Sequence, residues 1–213
     1  MIISRGRRYL FVHIPKTGGT AMALEARAMK DDILIGDTPK AQKRKRRQKD
    51  IKTAGRLWKH STLADIDGLI CPEEFDDFFI FTLVRNPWDR MVSYYRWLRM
   101  QNFDHLSVRL ARRLDFTSFL TDPRIGQSIS GSPYGSYVRD CSGTERPTHF
   151  IRLEHLAEDM GPLEAHLGFR LDEIPQVNAS DREKNHQHYY DDQTKELVAN
   201  LCREDITRFG YSF

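Results

Sequence analysis

Cysteine is scarce in this 213-residue chain: three residues, Cys71, Cys141 and Cys202, odd in number and far apart. They match neither a disulfide framework nor the paired spacing of a metal site, so a reducing compartment is the simpler setting. No apolar run approaches the roughly 20 residues that a membrane-spanning helix needs. The opening segment Met1-Ile2-Ile3-Ser4-Arg5-Gly6-Arg7-Arg8 lacks the long apolar stretch of a secretory leader, and its short hydrophobic run reads as a first core strand. The expectation is a cytoplasmic protein with no membrane span. Net charge is small, +3, which excludes a chain-wide basic field for nucleic acid. With 30% charged and 39% hydrophobic residues, the length suits one globular domain, 1–213, with a sizeable core.

Against those absences stands Leu10-Phe11-Val12-His13-Ile14-Pro15-Lys16-Thr17-Gly18-Gly19-Thr20. The apolar run, broken only by His13, predicts a short buried strand. Pro15 ends it, Gly18-Gly19 permit a tight turn, and Thr20 can open a helix through Ala21 to Ala26. A strand, a glycine turn and a helix start together form an anion site, because free backbone N–H groups and the helix dipole favour negative charge. Lys16 adds a full charge; Thr17 and Thr20 add hydroxyls. The loop differs from the ATP-binding pattern G-x-x-x-x-G-K-[ST], in which the lysine follows the glycines.

A second such junction follows Phe78-Phe79-Ile80-Phe81-Thr82-Leu83-Val84, whose near-continuous apolar character suits a central parallel strand covered on both faces. Asn86 can cap the next helix, Pro87 fits its first position and Asp89 complements its dipole. Arg85, at the strand end, can bind a phosphate with both arms of its guanidinium. Between the junctions, Trp58-Lys59-His60-Ser61-Thr62 gathers a histidine, the side chain that most readily acts as a base near neutral pH, with polar neighbours.

The rest is less pointed. Lys43-Arg44-Lys45-Arg46-Arg47 reads as a solvated basic run. Leu106, Leu110 and Leu114 mark the expected buried face of an amphipathic helix. The stretch 121–148, rich in Gly, Ser and Pro, reads as a long loop with Tyr134 and Tyr137 as candidate acceptor-facing rings. A third strand is expected at Thr148–Leu153, then helices at 158–167 and 191–209, ended by Gly168 and Gly210. The alternation of strands and helices, with both anion loops after strand ends, argues for a three-layer α/β fold with a parallel sheet and ligands beyond its carboxyl edge.

P-K-T-G-G-T after a hydrophobic strand resembles the 5′-phosphosulfate loop of sulfotransferases that use 3′-phosphoadenosine 5′-phosphosulfate (PAPS), most of all the carbohydrate-type branch. Arg85-Asn86-Pro87-Trp88-Asp89-Arg90-Met91-Val92-Ser93 matches that family's R-N-P-x-x-R-x-x-S motif. The resemblance implies a P-loop-kinase-like fold and PAPS as co-substrate, with no metal. Pro15, Lys16, Thr17, Gly18, Gly19 and Thr20 would hold the 5′ side and Arg85 and Ser93 the 3′-phosphate. His60, in a K-H-x-T-like segment, is the implied base and Lys16 the implied stabiliser of the leaving group. Arg182 and Lys184 lie where the family has a late basic segment that closes over the nucleotide. The acceptor would be a hydroxyl, most readily on a glycan, with no specific nucleic acid partner. A nucleotide kinase and a non-catalytic nucleotide- or glycan-binding module are the alternatives.

Overall fold

The computed structural model describes residues 1–19, the backbone of 32–34, and residues 52–171 and 185–213. The basic run 43–47 lies outside them, as do Thr20, Arg182 and Lys184. The chain divides into two compact units, Met1–Val84 with Tyr134–Val177 and Arg85–Pro133 with Asn178–Phe213.

The first unit is built on a five-stranded sheet. Its strands are β1 (Ile2–Ser4), β2 (Tyr9–Val12), β3 (Asp32–Leu34), β4 (Phe79–Val84) and β5 (His149–Arg152). The order is β3-β1-β2-β4-β5. β2, β4 and β5 run parallel, with Val12 opposite Thr82 and Val84 opposite Arg152. β1 is antiparallel to both neighbours; with β2 it forms a hairpin closed by residues 5–8, in which Arg8 takes a left-handed φ of 53°.

Alternation along the central strands fills both faces, as the apolar runs predict. Leu10, Val12 and Ile80 join one cluster with Ile3, Leu63, Ile66, Ile70 and Phe75. Tyr9, Phe11, Phe81 and Leu83 join the opposite one with Ile151, Met160 and Leu163. Thr82, fully buried between apolar neighbours, satisfies its hydroxyl by donating to the Val12 carbonyl at 2.7 Å. That bond ties β4 to β2 one residue before the strand gives way to His13.

The second unit is helical. Its main element, α1 (Pro87–Arg99), starts as its sequence predicts: the Asn86 carboxamide oxygen accepts from Trp88 N–H at 3.1 Å, and Pro87 sits at the first helical position. Trp88, Met91, Val92, Tyr95 and Leu98 form its buried stripe and pack with Val108, Phe116, Phe119, Ile125 and Val198.

Three local expectations give way to packing. The 121–148 stretch holds a helix, Pro123–Ser130, whose cap is Asp122, and a 3-10 turn, Tyr134–Val138. Tyr134 is fully buried, so it is no acceptor-facing ring. In the helix Leu106–Arg113 the buried positions are Ser107, Val108 and Ala111, a face rotated by about one residue from the leucine stripe. The C-terminal helix is two, Asp192–Leu201 and Arg203–Phe209, parted at Cys202.

At the end of β5, Arg152 donates its backbone N–H (2.9 Å), Nε (2.8 Å) and Nη2 (2.8 Å) to the carboxylate of Asp159. The guanidinium holds the Asp159 carboxyl down from 3.8 to about 2. Its stabilisation is therefore fully present above the ordinary value of 3.8 and is lost as pH falls through about 2. Asp159→Asn is expected to cost about 1 kcal/mol at neutral pH. Chemical denaturation at pH 7 and below pH 3 should show that cost shrink with acidification; an equal cost at both values would contradict the pairing.

Candidate functional site

β2 ends at Val12, and the next seven residues form the candidate anion loop. Lys16 adopts a left-handed φ of 68°, an unusual state for a side-chain-bearing residue, and Gly18 follows at 86°. Such backbone persists only where the surroundings impose it. The loop is also closely packed: a Cβ at Gly18 would lie 2.8 Å from Leu153 Cδ1, and one at Gly19 would lie 2.4 Å from Cδ2 of His13. The backbone turns helical at Gly19. Thr17 is fully buried, and its hydroxyl donates to the Ile14 carbonyl at 3.0 Å. That proton closes the turn instead of pointing at a ligand, which leaves the Thr17 backbone as its donor. Pro15 and Lys16 are partly exposed.

His60 reaches the same strand end. Its Nδ1 lies 2.7 Å from the backbone oxygen of His13. A carbonyl only accepts, so Nδ1 carries the hydrogen, and in the neutral ring Nε2 keeps its lone pair. The ring stands edge-on to His13, with centroids 4.7 Å apart, and to Trp58 at 5.1 Å. The neighbouring polar residues build the platform. Ser61, fully buried, accepts from Trp58 N–H at 2.9 Å; Thr62 and Asp65 bond reciprocally at 2.8 and 3.2 Å. Leu63 N–H donates to the Tyr137 carbonyl at 3.0 Å. Ser61 and Thr62 are thus scaffold, and His60 is what the scaffold presents.

His13 itself is 8% exposed. Burial above all, and then the titratable neighbours His60 and the Met1 amine and the cations Lys59 and Lys16, hold it well below the usual 6.5. It is neutral at pH 7. The sequence marks it only as the one polar residue in an apolar strand, a signal open to either a structural or a functional role.

In the helical unit, Arg85 and Ser93 bracket the start of α1. Arg85 donates through Nε (2.7 Å) and Nη2 (2.5 Å) to Oδ2 of Asp89, one turn on. Both side chains are mostly covered, at 13% and 17% exposure. Asp89 therefore aims the guanidinium as well as complementing the helix dipole. Ser93 is half-buried on α1.

A family model described as "Sulfotransferase family" matches residues 1–129, more than half of the chain. The chain belongs to the sulfotransferase family. Both candidate loops and His60 lie within the matched stretch. Among solved structures, the fold is similar to mouse sulfotransferase SULT7A1 complexed with PAP, with a TM-score of 0.51 and 14% identity over 95% of this chain and 86% of that one. At that identity the likeness speaks for the fold, an α/β sulfotransferase architecture of the P-loop-kinase-like kind. No curated protein sequence matches significantly. No described helix is long and apolar enough to cross a membrane, and the described residues hold no group of three potential metal ligands.

Removing Asp89 leaves a largely covered guanidinium without its aiming carboxylate. Asp89→Ala is expected to cost about 1–3 kcal/mol. The exposed pair Arg109–Asp104 provides the contrast, and Asp104→Ala should stay within about 0.5 kcal/mol of wild type. Equal losses in urea denaturation would deny Arg85–Asp89 its structural role.

Proposed function

We propose that the protein transfers the sulfuryl group of PAPS to an acceptor hydroxyl, with His60 as general base. The observation that carries the base assignment is the His60 bond to the His13 carbonyl: it leaves Nε2 as a lone-pair acceptor, two residues before Pro-Lys-Thr-Gly-Gly begins. Family membership supports sulfuryl transfer, and the PAP-complexed mouse enzyme supports a PAPS-type co-substrate.

The acceptor oxygen attacks sulfur in line with the bond to the 5′-phosphate. An O–S bond forms as the bridging S–O bond breaks; the acceptor proton goes to Nε2 of His60, and the bond pair stays on the departing phosphate oxygen. Lys16 stabilises the charge that builds there. The loop Pro15, Lys16, Thr17, Gly18, Gly19 and Thr20 is assigned to the 5′-phosphate, Arg85 and Ser93 to the 3′-phosphate, and Arg182 and Lys184 to further contacts with the nucleotide. Both motifs lie within the stretch matched by the family model, which supports this division of labour.

The proposed acceptor is a glycan hydroxyl. Trp58, 45% exposed and in ring contact with His60, offers an apolar face against which the CH surface of a sugar ring can pack. Cys71 and Cys141, both free and exposed, fit a reducing compartment such as the cytoplasm.

A screen with radiolabelled PAPS across glycan, phenol and peptide acceptors tests the reading, glycans being the expected class. On the acceptor found, Lys16→Ala should lose on the order of a hundredfold to a thousandfold in kcat. His60→Ala should lose roughly a hundredfold or more. Both variants should keep the wild-type circular dichroism spectrum; near-normal turnover in either refutes the role given to that residue.

A further inference from the structure

The proposed base and the proposed phosphate loop share a neighbour to which neither role has been given, the side chain of His13. Its imidazole is stacked on Phe11 at 5.8 Å and nearly parallel to it. One edge, Cδ2 to Nε2, lies where a side chain at residue 19 would have to go, 2.4 and 2.7 Å from an ideal Cβ there. The ring of His60 packs against it at 4.7 Å, and the His13 carbonyl holds Nδ1 of that same ring. A single residue thus touches the base through both its backbone and its side chain while filling the space that keeps position 19 a glycine.

We propose that His13 is a positioning residue, whose ring, wedged between Gly19 and His60, locks His60 into the tautomer that leaves Nε2 unprotonated and ties that imidazole to the seating of the phosphate loop. The inference rests on the reading of His60 as base for its catalytic meaning, though the locking itself does not. Neutrality suits the task. His60 becomes an imidazolium during transfer, and a second cation at 4.7 Å would oppose that step. Burial above all, with the cations Lys59 and Lys16 adding to it, keeps His13 uncharged.

If the His13 carbonyl alone set the tautomer, removing the ring would leave it unchanged. Free imidazole prefers its hydrogen on Nε2, so a loosened His60 should drift toward that form. The test is long-range proton–nitrogen NMR of protein labelled with 15N in its histidines, with His60→Gln assigning the signals. In the wild type, His60 should show protonated Nδ1 and unprotonated Nε2. In His13→Ala the two nitrogens should move toward a tautomer mixture, and kcat should fall on the order of tenfold to a hundredfold, by more than PAP affinity weakens. His13→Phe, which keeps a ring without its nitrogens, should restore the tautomer. Gly19→Ala probes the wedge from the other side: its methyl must displace the His13 ring and so should disturb the His60 signals, which decides the matter if His13→Ala does not fold. Wild-type His60 nitrogen signals in Gly19→Ala, or in a folded His13→Ala, overturn the proposal. Full activity in His60→Ala would instead sink the base assignment, and the nitrogen signals alone would then decide the positioning role.

Discussion

The carbonyl of His13 has no hydrogen to give, and that one-sidedness determines which nitrogen of His60 is protonated. Much of the first unit serves to hold that 2.7 Å contact in place. The carbonyl belongs to the residue just after β2, a strand buried on both faces and tied to β4 through the Thr82 hydroxyl. The histidine belongs to a segment anchored by Ser61, by the Thr62–Asp65 pair and by the Leu63 bond to Tyr137. Each side of the hydrogen bond is thereby fixed by rigid structure, which is what the proposed base needs for proton transfer to occur without searching.

The same strand end explains the loop. Beyond the carbonyl, the chain bends through a left-handed Lys16, a conformation that costs energy and needs support, and a left-handed Gly18, which glycine adopts freely. Support comes from the Thr17 hydroxyl on Ile14, from Leu153 beneath Gly18 and from His13 beside Gly19. Function and scaffold are hard to separate here. Thr17 has the residue type of a ligand donor, and its hydroxyl proton serves the turn. Asp89, well placed for the dipole of α1, also orients Arg85.

What could be seen in the amino-acid order, and what could not, follows from how local each cause is. β4 was legible because an apolar run states its own burial, and the start of α1 because Asn86 and Pro87 act within a single turn. Proline and glycine made the loop legible too. The helix Pro123–Ser130 was hidden by glycine and serine, although Asp122-Pro123 is a cap signal of the same kind as Asn86-Pro87. The break at Cys202 and the shifted face of Leu106–Arg113 depend on packing partners distant in sequence, and no local pattern announces them. Tyr134, an aromatic in a glycine-rich stretch, reads as surface and is core. The role of His13 was invisible for the same reason: its contacts come from residues 6 and 47 positions away, and spacing alone gives no hint of them.

The central claim concerns one nucleotide carrying two phosphate groups, with Arg85 assigned to the 3′ end and Lys16 to the 5′ end. Calorimetric titration of PAP and of adenosine 5′-phosphosulfate, which lacks the 3′-phosphate, into wild type, Lys16→Ala and Arg85→Ala tests it most directly. Arg85→Ala should weaken PAP by roughly tenfold or more while leaving adenosine 5′-phosphosulfate nearly unchanged, and Lys16→Ala should weaken both. Equal weakening of the two nucleotides by Arg85→Ala, or none of either, would contradict the assignment.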